Sequence, residues 1–149
     1  MKIQTKFHGE QEIVKEEIIK FDHGIPGFLD EKEFYIFPLE DTPFLILQSI
    51  HTKEVAFIIA DPFSLFPDYE FDLSEDVIEA LKIEAEKDVA VFVILTVREP
   101  FNQTTANLQA PVIINQNKKL GKQHILNDSN YSIRHFIIKP PTVQKQEVK

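Results

Sequence analysis

The stretch VAVFVILTV, residues 89–97, decides the fold class. Seven of its nine residues are Val, Phe, Ile or Leu, and branched and aromatic side chains at that density suit a pleated strand buried on both faces. Interrupted at Thr96, it has about half the roughly 20 residues that a membrane-crossing helix needs. It therefore predicts a central strand, around which the flanking elements are arranged.

Toward the C-terminus, Arg98-Glu99-Pro100 stops the run, and an Asn-, Gln- and Thr-rich stretch leads into strands predicted over 106–110, 112–115 and 121–126. Asn115 to Lys118 supplies the hairpin turn between the last two. A final strand signal lies over 133–138, and residues 139–149, with two prolines and little to bury, predict a flexible tail. Toward the N-terminus, Leu73, Val77 and Leu81 recur at helical spacing with Ile78 beside them; Asp72 and Glu75 resemble a capping box, and Ser74 is placed to help open the helix. Asp61-Pro62 ends a meander of three apolar strands over 34–39, 44–50 and 55–60, separated by the turn formers EDTP and HTKE. In HGIPGF, Pro26 presets the φ of the second turn position and Gly27 accepts the positive φ of the third, so a type II turn is predicted. Ile3, Thr5 and Phe7 alternate with Lys2, Gln4 and Lys6 as a first strand, and a second is predicted within 12–21, ending near Phe21. About nine or ten short strands with one short helical insertion predict a mainly β fold, a closed or nearly closed, antiparallel-rich β-barrel in a single domain over 1–138.

Composition narrows the function classes. A chain of 149 residues has the size of one hydrophobic core, and 43% hydrophobic with 27% charged residues is ordinary globular usage, so disorder does not describe the whole. The 24 acidic against 16 basic residues leave a net charge of -8, suited to a basic partner and ill-suited to nucleic acid or an anionic membrane. With no cysteine there is no disulfide framework, thiolate zinc site, iron–sulfur cluster or cysteine nucleophile. The N-terminal MKIQTKFHGEQEIVKEE alternates apolar and charged residues without the continuous apolar stretch of a signal peptide, so the cytoplasm is the expected compartment. The four glycines are scattered at Gly9, Gly24, Gly27 and Gly121, which rules out Walker and dinucleotide loops. His8, His23, His51, His124 and His135 show no metal-ligand spacing, and no GxSxG elbow is present. No catalytic residue, metal or cofactor is expected.

Two stretches stand out as binding candidates. DYEFDLSED interleaves Tyr69 and Phe71 with carboxylates; either the acids are merely solvated over tucked-in aromatics, or the stretch docks a basic protein surface. Around TANLQAP, Asn102, Gln103, Asn107, Gln109, Asn115 and Gln116 form a polar set whose amides either satisfy loop backbone groups or present a protein-binding edge.

Taken together, GIPGF at 24–28, PFLILQS at 43–49, ADPF at 60–63 and TANLQAPVIIN at 105–115 resemble the flagellar assembly factor FliW family, and the likeness continues through Gly121, Gln123, Leu126, Tyr131 and Arg134. The resemblance implies a small cytoplasmic, non-enzymatic β-barrel-like protein with two protein partners: flagellin, and the RNA-binding translational repressor CsrA. It further implies a switch: freed of flagellin, the factor binds CsrA, antagonises it allosterically and lifts repression of flagellin messenger RNA. Charge and expected exposure nominate Asp68, Glu70, Asp72, Glu75 and Asp76 for CsrA, with Asn102, Gln103, Asn107 and Gln109 as a secondary polar edge. Phe63, Phe66, Tyr69 and Phe71 are the candidates to line an apolar groove for a flagellin helix. The acidic composition favours a monomer when free. A different class of function, a barrel enclosing a small apolar ligand, predicts a cavity lined by Phe34, Phe44, Phe57 and Phe92.

Overall fold

The computed structural model describes residues 1–127 and 129–138, so the predicted tail over 139–149 lies outside the described residues. The strands are β1 (Lys2–Thr5), β2 (Gly9–Glu12), β3 (Ile19–Lys20), β4 (Glu33–Pro38), β5 (Leu45–Ser49), β6 (Ala56–Ala60), β7 (Val89–Thr96), β8 (Thr105–Ala106), β9 (Val112–Asn115), β10 (Leu120–Gln123) and β11 (His135–Phe136). Two short helices, α1 (Pro62–Leu65) and α2 (Glu75–Ala80), sit between β6 and β7.

Seven strands close into a barrel in the order β7-β6-β5-β4-β3-β10-β9, with β9 returning to pair with β7. All of these pairings are antiparallel except β3 with β10, which meet in parallel at Lys20 and Leu120. One edge of β7 is divided between two partners: Val89 to Phe92 pair with Asn115 to Val112, while Leu95 and Thr96 pair with Ala106 and Thr105 of β8. Strand β11 extends the sheet beyond β8, and β1 with β2 form a separate hairpin.

The alternation along β7 explains why VAVFVILTV is apolar throughout. Ala90, Phe92 and Ile94 pack with the barrel core of Phe21, Phe34, Leu47, Ile59, Val112 and Ile114. Val93 and Leu95 face the other way, against Tyr69 and Leu108, while Val89 and Val91 pack with Val77 and Leu81 of the helical insertion. A strand packed on both faces has little use for polar residues.

Several expectations need correction. Residues 12–21 are mostly not strand: Lys15–Glu17 form a 3-10 turn, and β3 is confined to Ile19–Lys20. The partner of β1 is Gly9–Glu12, brought back by the turn in which Thr5 Oγ accepts from the His8 amide at 3.0 Å and Gly9 takes a φ of 66°. Ser74 caps α2, accepting from the Val77 amide at 3.3 Å, and Asp72 lies outside the helix, so Asp72 is not the cap. Asp61-Pro62 both ends β6 and starts α1, with the Asp61 carboxylate accepting from the Phe63 amide at 2.9 Å and proline at the first turn. The strand expected over 106–110 stops at Ala106, that over 121–126 runs instead from Leu120 to Gln123, and that over 133–138 is confined to His135–Phe136. The Pro26-Gly27 turn forms as expected, with Gly27 at a φ of 91° and the Phe28 amide donating to Ile25 O at 2.6 Å.

Candidate functional site

The acidic stretch leaves α1 and runs to α2 without regular structure, so its side chains are placed by what the backbone is tied to. Tyr69 is the anchor. Its hydroxyl donates to Leu108 O at 2.8 Å, and its ring packs edge-on against Tyr131 at 4.7 Å and beside Phe63 and Phe71. Burial, with Tyr131 adding a smaller push, drives the Tyr69 phenol above its ordinary range. The Tyr131 hydroxyl in turn accepts from the Glu70 amide at 3.0 Å. With the aromatic residue held inward, Asp68, Glu70, Asp72, Glu75 and Asp76 are all exposed, and none of the five is in an ion pair among the described residues.

Glu70, Phe71, Asp72 and Ser74 form one wall of an open groove of about 430 Å³, faced by residues 124–127 and Ser129. His124 lies in it near the Phe71 ring. Burial lowers the pKa of His124, and Lys122 adds to that, while a hydrogen bond with the Asp72 backbone opposes it. At neutral pH the carboxylates Glu70 and Asp72 therefore carry this groove's charge.

The polar set divides in two. Asn102 and Gln103 are exposed on a 3-10 turn, Phe101–Gln103. Asn107 satisfies the loop, its side-chain oxygen accepting from the amides of Gln109 and Ala110 at 3.2 and 3.1 Å. Asn115 is buried and holds the segment after α2, donating to Leu81 O at 2.8 Å and Lys82 O at 3.2 Å. Gln109 is half-buried, and its side-chain amide has no hydrogen bond among the described residues.

Of the four aromatic residues expected to line a groove, Tyr69 is buried, Phe66 and Phe71 are half-buried against the same cluster, and Phe63 is 45% exposed. They come together, but as the underside of the acidic stretch, with Phe63 offering the larger free surface. The residues expected around an enclosed ligand do not share a cavity. Phe34 is packed against Phe21 at 5.1 Å, Phe44 packs outside the barrel near Phe101, and Phe57 and Phe92 face different grooves. The barrel axis is filled by Phe21, Phe34, Leu47 and Ile59, each fully buried.

This architecture can be compared with known proteins. The family model described as FliW protein matches residues 2–137. The chain belongs to the FliW family. It is 56% identical over 145 residues to the flagellar assembly factor FliW of Geobacillus thermodenitrificans, covering 97% of this chain and all of that one. It is 51% identical over 138 residues to the FliW of Bacillus subtilis, covering 92% of this chain and 96% of that one. A crystal structure of the flagellar assembly factor FliW superposes with a TM-score of 0.90 at 51% identity, covering 94% of this chain and 99% of that one. Membership makes this a flagellar assembly factor, a regulatory and chaperone-like protein without enzymatic activity. Among the described residues no group of three or more His, Asp or Glu is arranged to hold a metal ion, and no helix is long and apolar enough to cross a membrane.

Proposed function

We infer that this FliW-family chain binds flagellin and, when free of it, binds and allosterically antagonises the translational repressor CsrA, relieving repression of flagellin messenger RNA. It acts in the cytoplasm as a monomer, through the domain over 1–138, without touching nucleic acid. The observation that supports this best is the exposed run of carboxylates from Asp68 to Asp76, unpaired among the described residues and holding no Lys or Arg. An RNA-binding repressor must carry basic surface, and such a strip attracts it at long range while repelling RNA phosphate. Asn102 and Gln103 provide a secondary polar edge, and Phe63 with Phe66 the apolar contact for a flagellin helix.

The test uses purified CsrA and flagellin, separately and then together, followed by release of flagellin messenger RNA from the repressor. Both proteins are expected to bind, and flagellin to block RNA release. In the double charge reversal Asp68→Lys with Glu70→Lys, CsrA association is expected to slow by about tenfold at low salt with thermal stability unchanged, since both side chains are exposed. Simple competitive displacement by RNA would refute the allosteric form, and unchanged association would remove the acidic stretch from the interface.

A further inference from the structure

Where the edge of β7 forks, β9 departs beyond Phe92 and β8 arrives at Leu95, with residues 107–111 bridging the gap. A groove of about 440 Å³ opens there, floored by Phe57 and Ile94 and walled by Ile125 and Ile133. Ile125 is 49% and Ile133 53% exposed, a large aliphatic surface to leave in water at one place.

Of the polar side chains in the lining, Thr96, Asn107, Gln109, Gln123 and Arg134, two bear most on what the groove can hold. One is the Gln109 amide; the other is Arg134, the single charged side chain in the lining, with no carboxylate in ion-pair distance among the described residues. On a chain of net charge -8 this is an anomaly: an acidic segment is repelled by the molecule as a whole yet is welcomed by a guanidinium beside apolar walls. The site is also stiff. The Asn107 amide donates to Ile94 O at 2.9 Å, the Leu108 amide to Ser132 O at 3.0 Å, and the Leu126 amide to Gln109 O at 2.8 Å, so the walls are fixed before anything binds.

We propose that this groove docks a peptide segment of a partner protein that presents aliphatic side chains and one carboxylate. The aliphatic groups cover Ile125 and Ile133, and the carboxylate pairs with the Arg134 fork. The Gln109 amide, both donor and acceptor, suits a peptide backbone, for which the hydrocarbon chain of a fatty acid has no counterpart. This goes beyond the CsrA and flagellin assignment and does not depend on it.

The test is fluorescence anisotropy on the full chain with three labelled octapeptides of alternating Ala and Leu, carrying one central Glu, Gln or Lys. Because the net charge favours Lys, a preference for Glu is diagnostic of Arg134. The Glu peptide is expected to bind about tenfold more tightly than the Gln peptide, with Lys weakest. Arg134→Gln should erase that advantage while leaving the Gln peptide within about twofold, since Arg134 is exposed and among the described residues only its backbone amide is bonded, to Ser132 Oγ. Ile133→Ser should weaken all three. Absence of saturable binding, or a Glu advantage that survives Arg134→Gln, would overturn the proposal. So would dodecanoate displacing the Glu peptide at lower concentration than the unlabelled peptide does, which assigns the groove to fatty acids, or a dimer abolished by Arg134→Gln, which assigns it to a second copy.

Discussion

Gly121 tests the barrel directly. It sits in β10 opposite Ile114, and its φ is not in the left-handed region, so backbone strain plays no part in a substitution. What matters is space. A Cβ built there meets Phe21 Cζ at 2.6 Å, Cε1 at 2.7 Å and Cε2 at 3.0 Å, all well inside van der Waals contact. A ring on the surface would swing aside, but Phe21 is fully buried and locked edge-on against Phe34 at 5.1 Å, so either the ring leaves its rotamer or β10 moves off the barrel. Overpacking of this kind costs about 1–3 kcal/mol. With an unfolding entropy of roughly 2.1 cal/mol/K per residue, 149 residues lose about 3–10 °C in Tm for Gly121→Ala, read by circular dichroism. The control is Phe21→Leu, which removes the atoms that clash. Alone it destabilises by leaving a void, but added to Gly121→Ala it should cost less than it does in the wild type, with a coupling of about 0.5–3 kcal/mol. A Gly121→Ala protein melting within a degree of wild type, or strictly additive effects in the double variant, would refute the close approach of β10 to the core.

Other outcomes follow from single contacts. Asn115→Ala should cost about 2–4 kcal/mol in urea unfolding, because it strands the carbonyls of Leu81 and Lys82 and the amides of Asn117 and Lys118. Tyr69→Phe should cost about 1–2 kcal/mol by leaving Leu108 O without its phenolic donor. In the wild type the raised pKa means the folded state keeps a proton that the unfolded chain releases near 10, so stability falls as pH climbs past 10, and absorbance near 295 nm should show Tyr69 ionising only with unfolding. For His124 the shift has the opposite sense: the unfolded chain binds a proton near 6.5 that the folded state resists, so stability falls as pH drops through and below that value. The imidazole Cε1 proton should titrate below 6.5 by NMR, and His124→Gln should flatten the profile there.

The legible and illegible parts of the sequence separate along physical lines. β7 declared itself because both of its faces are covered, and α2 because Ser74 and the spacing of Val77 and Leu81 act within a few residues of one another. β2 did not, since Gly9–Glu12 buries almost nothing and is a strand only because the turn at Gly9 lays it against β1. β3 did not because its two residues become a strand only between β4, paired at Phe34 and Glu33, and Leu120, a hundred positions from Lys20, which no local pattern encodes. The five carboxylates were legible as surface because charge without a partner stays in water. Tyr69 stayed open between a groove residue and a tucked-in one because, in an irregular segment, no period tells an inward aromatic from an outward one; the structure buries it. The Arg134 groove was invisible for a stronger reason: Ile25, Phe57, Ile94, Gln109, Ile125 and Arg134 come from separate segments and meet only when the barrel closes.

The acidic stretch and the amide-rich TANLQAP segment are distant in sequence yet form one mechanical unit. The Tyr69 hydroxyl fixes Leu108 from one side, and the amides of His124 and Leu126 fix Pro111 and Gln109 from the other, donating at 2.8 Å each. Ile125, held between those last two bonds, is therefore positioned by both segments, and it lines both the acid-edged groove and the arginine-edged groove. The two surfaces thus differ in charge, and hence in the chemistry they accept, while sharing one wall.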